Sequence, residues 1–325
     1  MEPLNQTTIL EIRDASQVAV ARRTAERFAE IAGLSEQRSS AVAVVAIELA
    51  NNLLQHAGGG QLFIAFNPYL AALEIAAVDH GKGMANVERC LSDGFSTAST
   101  PGLGLGAVKR FATEFAAYSM PGRSTVVSAR MSREISGPDF SVVCTAIHGE
   151  IISGDSWAVS ADGRSIMVVD GLGHGMFAAD ASRAAVELFH KYGSLSPGAL
   201  LELMHPAMRA TRGAAIAIAR IQPEMRTIEF AGIGNIGSQI LSPFRTQSMV
   251  SHNGTLGHQM RKVQQFLYPY QPSDLLVMQS DGLATHSKAS IPPTLLEQPP
   301  FAIAPLLYSE QLRGRDDATL LVSRL

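Results

Sequence analysis

Cysteine is almost missing from this chain: Cys90 and Cys144 are the two in 325 residues. They lie far apart and lack metal-ligand spacing, which argues against a thiolate metal site and suits a reducing cytosol. Charge is also sparse. Charged residues make up 17% and the formal net charge is −3, so no basic surface is evident for DNA, and nucleic acid is not an expected partner. No apolar run approaches the roughly 18–20 residues that span a bilayer. Met1–Gln6 has no basic stretch followed by an apolar one, so no signal peptide is expected. The expectation is a soluble, cytoplasmic protein without a membrane partner. Internal repeats and low-complexity segments are absent too. What the chain does have is apolar residues, 46% of the total, enough for two cores in a chain of this length.

The stretch 132–139 is polar, contains Gly137-Pro138 and separates two β-rich runs, which marks a boundary. Two unrelated α/β domains are therefore expected, over 1–133 and 141–325, joined by a linker at 134–140. In the first, helices are predicted over 16–32 and 36–56, the second stopped by Gly58-Gly59-Gly60. Strands follow at 61–66 and 73–78, then a short helix near 86–91, a Gly/Ser/Thr-rich loop, a helix from Leu105 and a strand at 125–129. In the second, strands at 141–147, 157–160 and 165–169 precede helices at 178–192 and 197–210, and more strands close the chain.

Glu48 and Asn52 fall four residues apart on a predicted helix, so both side chains leave one face. A carboxylate beside an amide suits a base that orients a nucleophile next to a Mg²⁺ ligand. The strand at 73–78 runs into Asp79-His80-Gly81-Lys82-Gly83. An Asp there can accept a hydrogen bond from a purine amino group, and the glycines let the backbone approach the base. Downstream, Pro101-Gly102-Leu103-Gly104-Leu105-Gly106-Ala107 opens a helix. Repeated glycine bares backbone N–H groups at a positive helix end, which makes a phosphate cradle. Ser96, Thr97, Ser99 and Thr100 precede it as a lid.

In this order, the three stretches resemble the GHKL ATP-binding fold, an α/β sandwich. Glu48 with Asn52 matches its N box, Asp79, Gly81 and Gly83 its first glycine box, and Gly102, Gly104 and Gly106 its second. Glu48-Leu49-Ala50-Asn51-Asn52, Ala57-Gly58-Gly59-Gly60 and Asp93-Gly94-Phe95-Ser96-Thr97 are similar to the serine kinases of bacterial partner switching, the anti-sigma and stressosome switch kinases. That resemblance implies Mg-ATP bound through Asn52, adenine recognised by Asp79, and Glu48 polarising a substrate hydroxyl. It also implies that the second glycine box, with Leu103 and Leu105, contacts the nucleotide. Lys82 departs from the small residue or Pro usual there, and Thr125 aligns loosely with the threonine near the adenine. A histidine kinase would need a phospho-acceptor His upstream, and no His precedes His56.

Four acidic positions recur at strand ends or tight turns in the second half: Gly154-Asp155, Asp170-Gly171, Ser280-Asp281-Gly282 and Asp316-Asp317. Carboxylates converging from separate strands repel one another unless cations neutralise them, and hard oxygen ligands favour Mg²⁺ or Mn²⁺. Two such ions can clamp a phosphoryl group and activate a water. With Gly173-His174-Gly175 and Asp316-Asp317-Ala318-Thr319, these motifs resemble the SpoIIE-type serine phosphatases of the PP2C class, a β-sandwich flanked by helices. Thr211-Arg212-Gly213-Ala214-Ala215 and Ala231-Gly232-Ile233-Gly234-Asn235-Ile236 are similar to the stressosome feedback phosphatase. The resemblance implies Asp170 bridging two Mn²⁺ or Mg²⁺ ions, the Gly171 carbonyl on one, Asp281 and Asp316 on the other, and Asp155 acting directly or through water. His174 is expected to shape the loop or contact substrate phosphate.

The sequence thus reads as a partner-switching regulator, with a phosphatase for a phosphorylated STAS-domain antagonist or stressosome scaffold protein joined to a serine-kinase-like domain. Family resemblance is compatible with a homodimer. The alternative is that the N-terminal domain is a non-catalytic, ATP-dependent docking or anti-sigma-like module.

Overall fold

The computed structural model describes residues 5–87, 104–132, 137–284 and 291–325. Its chain separates into two compact units. One comprises Thr7–Ser136 with Phe301–Ser309, and the other Met1–Gln6, Gly137–Pro300 and Glu310–Leu325. Of the sequence expectations, Gly102, Leu103, the lid residues at 96–100 and most of the helix near 86–91 lie outside the described residues.

The first unit is one antiparallel sheet with helices on one face. Its strands are β1 (Thr8–Ile12), β2 (Gly60–Asn67), β3 (Ala72–Asp79), β4 (Glu114–Met120) and β5 (Ser124–Ser132), in the order β1-β2-β3-β5-β4. Helix α1 (Ala15–Ile31) begins with a capping box: Asp14 accepts from the Ser16 amide at 2.8 Å, and the Gln17 side chain accepts from the Asp14 amide at 3.1 Å. Helix α2 (Glu36–Asn52) follows, and its last turn widens to a π-helical turn over Leu53–Ala57 before Gly58 adopts φ +76°. A third helix, α3 (Gly104–Phe111), packs on α2. Leu49, Leu53, Leu62, Ile64, Leu73, Ile75 and Val127 form a core between the sheet and α1 and α2.

Alternation along the strands puts polar groups on the opposite face. There Arg130 donates from Nε to Glu74 at 2.9 Å and from a terminal nitrogen to Glu114 at 3.1 Å. The guanidinium lies 4.6 Å from the Phe301 ring centre, within the segment grouped with this unit. Phe63 meets Tyr308 edge to face at 6.0 Å, and Ser309 donates to Gln61 at 2.7 Å.

The second unit holds two antiparallel sheets. The first strands are β6 (Phe140–Thr145), β7 (Asp155–Val159) and β8 (Ser165–Gly171), followed by α4 (Met176–Tyr192) and α5 (Pro197–Ala207). Strands β9 (Ala214–Gln222), β10 (Thr227–Ile233), β11 (Gly237–Leu241), β12 (Thr246–Ser248), β13 (Phe266–Pro269) and β14 (Leu275–Gln279) come next. Helix α6 (Pro293–Leu296), helix α7 (Pro300–Gln311), whose residues Phe301–Ser309 group with the first unit, and strand β15 (Ala318–Arg324) complete the chain. The sheets run β13-β10-β9-β8-β7 and β12-β11-β14-β15-β6, and β7 packs against β6 and β15. Helices α4 and α5 cover the first sheet, burying Phe189, Leu200, Leu201 and Met204 against Met167, Val169, Ile216 and Ile218. The fold is the expected two-domain α/β architecture, a sandwich with helices in its second half. Among the described residues, no helix is long and apolar enough to cross a membrane.

The Arg130 group yields a stability test. Its side chain is 5% exposed and that of Glu74 10%. Replacing Arg130 with alanine strips both glutamates of their shared counter-charge, and removing one partner of a buried pair costs about 3–5 kcal/mol. The expected result is a lower urea midpoint for unfolding of this unit, and an unshifted midpoint would remove the triad from the forces that hold the sheet.

Candidate functional site

The acidic positions meet through strand register. In the β7–β8 pair Asp155 stands directly opposite Asp170, so both side chains leave the same face. Asp281 follows the C-terminal end of β14, and Asp316 and Asp317 precede β15, the antiparallel neighbour of β14. The Ser280 amide donates to the Thr319 carbonyl at 3.0 Å, which holds these two ends together. A side-chain bond then ties one sheet to the other: Ser280 Oγ donates to Asp155 Oδ2 at 2.6 Å and accepts from the Thr319 amide at 2.9 Å.

Asp317 holds backbone. Its Oδ1 accepts from the Ile147 amide and its Oδ2 from the Gly154 amide, both at 2.7 Å. Asp316 Oδ1 accepts from the Asp317 amide at 2.9 Å. Asn235 donates to Asp281 Oδ2 at 2.6 Å, and Arg313 donates to the Asp281 carbonyl at 3.3 Å. Two glycines allow the strands and turns to close here. A Cβ on Gly171 would strike the Ala178 carbonyl, and one on Gly282 the Asp317 carbonyl. Ser182 on α4 donates to the Gly154 carbonyl, fixing the helix start beside the loop. His174 Nδ1 lies 3.0 Å from Glu150 Oε1, both on exposed loops.

Crowding and burial shift these acids together. Desolvation pushes Asp170 well above the ordinary carboxylate value, and the charges of Asp155, Asp281, Asp316 and Asp317 push it further. Asp155 is raised chiefly by burial and secondarily by Asp317 and Asp316, against the stabilising Ser280 hydroxyl. Asp281 is raised by burial and by Asp316, and Asp317 by burial against its two backbone donors. The donors are carboxylate and carbonyl oxygens, the set that hard divalent cations take. Among the described residues, no three His, Cys, Asp or Glu side chains close on one point. The chemistry therefore fits ions that keep waters and take few side chains each, as Mg²⁺ does.

In the first unit, Glu48 lies half-buried on α2, and desolvation raises its carboxyl above the ordinary value. One turn on, the Asn52 amide nitrogen is buried and finds no hydrogen-bond partner among the described residues. Such an orphaned group loses its share of solvation unless a ligand meets it, which suits a bound nucleotide and its ion. Asp79 ends β3, accepts from the Gly81 amide at 2.9 Å, and is raised chiefly by burial. Thr125 stands opposite it in the β3–β5 register. Gly81 and Gly83 sit where a Cβ would crowd Ala57 at 3.0 Å and Pro121 at 2.8 Å. Gly104, Leu105 and Gly106 open α3, the helix that packs on α2.

Sequence reasoning passed over Ser280, Asn235 and Glu150 as site groups. The first two lie inside stretches already singled out, but nothing in spacing shows that Ser280 holds Asp155 or that Asn235 holds Asp281. Glu150 carries no sequence signal.

The fold and these groups define a histidine kinase-like nucleotide-binding domain joined to a PP2C-type phosphatase domain. Residues 12–131 match the histidine kinase-like ATPase domain, and residues 160–325, just over half of the chain, match Stage II sporulation protein E. The chain belongs to the SpoIIE family, with a histidine kinase-like ATPase domain at its N-terminal side. It is 30% identical over 128 residues to the serine/threonine-protein kinase RsbT of Bacillus subtilis (strain 168), covering 39% of this chain and 96% of that protein. It is 29% identical over 138 residues to the phosphoserine phosphatase RsbX of the same organism, covering 42% of this chain and 69% of that protein. A solved structure from work on "the bacterial stressosome: a modular system that has been adapted to control secondary messenger signaling" aligns at TM-score 0.52 and 27% identity, over 58% of this chain and 100% of that one. RsbX in complex with magnesium aligns at TM-score 0.52 and 23% identity, over 65% of this chain and 100% of that one, and shows the shared fold. The protein is an enzyme, a PP2C-type protein serine/threonine phosphatase.

The raised acids give a pH dependence with a definite sign. Without metal, native Asp155 and Asp170 hold protons that an unfolded chain, with its carboxyls near 3.8, has released. The contribution of these two acids to metal-free stability is therefore fully present at acid pH and lost as the pH rises from about 4 through neutrality. Divalent ions displace those protons, so they stabilise more at higher pH. In EDTA, Tm should fall between about pH 5 and pH 8, and Mn²⁺ should raise it more at pH 8 than at pH 5. Asp170→Asn should lift the EDTA value at pH 8 and lose the Mn²⁺ increment. Equal increments at both pH values would refute the assignment.

Proposed function

We propose that the C-terminal domain hydrolyses phosphoserine or phosphothreonine on a STAS-domain antagonist or stressosome scaffold protein, using two Mn²⁺ or Mg²⁺ ions. The observation that carries this reading is the facing pair Asp155–Asp170 with Asp281 and Asp316 at the neighbouring strand ends. Asp170, the Gly171 carbonyl, Asp281 and Asp316 would hold the ions, with Asp155 serving directly or through water. Bound there, the ions would supply Lewis acidity toward the phosphoryl oxygens and a lowered pKa for water. Ser280 and Asn235 fix the orientation of Asp155 and Asp281, and Asp317 locks the loop that brings Gly154 alongside. Mn²⁺-dependent hydrolysis of p-nitrophenyl phosphate is expected, with a loss of at least about 100-fold in Asp170→Ala. Undiminished turnover in that variant would overturn the metal assignment.

The N-terminal domain is proposed to bind Mg-ATP through Asn52 and Asp79 and to phosphorylate a protein serine, with Glu48 polarising the hydroxyl. The buried, unpartnered Asn52 amide and the raised Glu48 carboxyl support this. Incubation with labelled ATP and a STAS-domain partner should label the partner, and Glu48→Ala should abolish the label. Nucleotide-dependent binding without transfer would make the domain a docking module instead.

A further inference from the structure

Large apolar side chains are exposed beside the acidic cluster. Leu172 is 56% exposed, Met176 56% and Phe177 64%, and they stand within six residues of one another, immediately after Asp170-Gly171. Leu172 and Phe177 line an open cavity of about 900 Å³ whose other walls include Arg212, Thr255 and His258. A cavity of this size takes a segment of several residues rather than a phosphoryl group alone.

The walls are built to hold their shape. The Leu172 amide donates to the Gly213 carbonyl at 3.0 Å, which ties the cavity to the strand end carrying Asp170. Ala214 and Leu256 exchange two backbone bonds of 3.1 and 2.8 Å, and His258 Nε2 lies 3.0 Å from the Thr211 carbonyl. Thr211 Oγ1 donates to the Met208 carbonyl at 2.8 Å and accepts from the Gly213 amide at 3.0 Å, so the backbone on both sides of Arg212 is fixed. The Arg212 guanidinium lies 4.9 Å from the Phe177 ring centre and 3.2 Å from where a Cβ on Gly173 would stand. It stacks on the aromatic wall and gives the cavity lining a positive charge.

We propose that this cavity seats the chain flanking the phosphorylated residue of a protein substrate, and that Leu172 and Phe177 select an aliphatic side chain next to that residue. The inference rests on the phosphatase reading above. Leu172 stands two residues beyond Asp170, and an extended segment advances only about 3.3 Å per residue, so residues flanking a phosphoryl group at the Asp155–Asp170 pair would come within reach of the cavity wall. Of the two charges in the lining, Asp180 is paired with Arg183 at 2.9 Å, which leaves Arg212 to meet an anionic segment, and the apolar rim gives the flanking residue a place out of water.

The test uses the full chain and two phosphoserine peptides that differ only in leucine or glycine at the flanking positions. With Mn²⁺, kcat/KM should favour the leucine peptide by about tenfold, the worth of burying one apolar side chain partly. In Leu172→Ser and Phe177→Ala that ratio should fall toward one through a higher KM, and Phe177→Leu should restore it. The loss on the leucine peptide should exceed the loss on p-nitrophenyl phosphate at least fivefold. No flank preference in the unaltered chain, or a preference that survives both substitutions, would overturn the proposal. Failure of the unaltered chain to hydrolyse p-nitrophenyl phosphate would instead refute the phosphatase reading. Anisotropy of fluorescein-tagged versions of these peptides on the full chain with Ca²⁺, a hard ion for oxygen ligands, should show tighter binding of the leucine peptide, lost in Phe177→Ala. Equal binding of both would overturn the proposal.

Discussion

Mutual repulsion among buried carboxylates is the constraint around which the second domain is organised. Asp155 and Asp170 face each other across a strand pair, and Asp281, Asp316 and Asp317 add their charges from the adjoining sheet. Left to themselves, such groups would protonate or push the strands apart. The surrounding structure resists separation with hydrogen bonds aimed at single oxygens: Ser280 on Asp155, Asn235 on Asp281, and two backbone amides on Asp317. What results is a cluster that is electrostatically unfavourable by itself, and the proposed divalent cations would relieve it. On that proposal, the charges that strain the fold are the same ones that would bind the cations.

The first domain solves a different problem. The groups proposed to meet a nucleotide carry little charge, and the informative observation is that, among the described residues, nothing pairs with the buried Asn52 amide nitrogen. Here the protein leaves a polar atom unsatisfied where a ligand would complete it. The two halves of the chain therefore prepare for phosphate chemistry by opposite means, surplus charge in one and a missing partner in the other.

Much of this was legible in the sequence, for physical reasons. Apolar runs that end in Asp-Gly mark strands reaching a sheet edge, as β8 and β14 do, and a glycine run stops α2 as expected. Strand order was not legible, because β6 pairs with β15, its partner at the far end of the sequence. Register escaped as well. The sequence places Asp155 before a strand beginning at Trp157, whereas β7 starts at Asp155 itself and so sets it opposite Asp170. Nor does local pattern disclose that Phe301–Ser309 groups with the first unit. The supporting groups Ser280 and Asn235 are ordinary polar residues whose roles depend on which strands come together.

The glycines of the acidic centre carry a lesson about inheritance. Gly171 and Gly282 bear no charge and would escape any search for charged groups, yet a Cβ on either would fall on a neighbouring carbonyl, of Ala178 in one case and Asp317 in the other. Descent can therefore disable such a centre without touching a single acid. A relative that keeps all its aspartates but has gained one methyl group at either glycine would look intact in its motif letters and be inert. Tracing which members of the family remain active requires reading these two silent positions alongside the conspicuous ones.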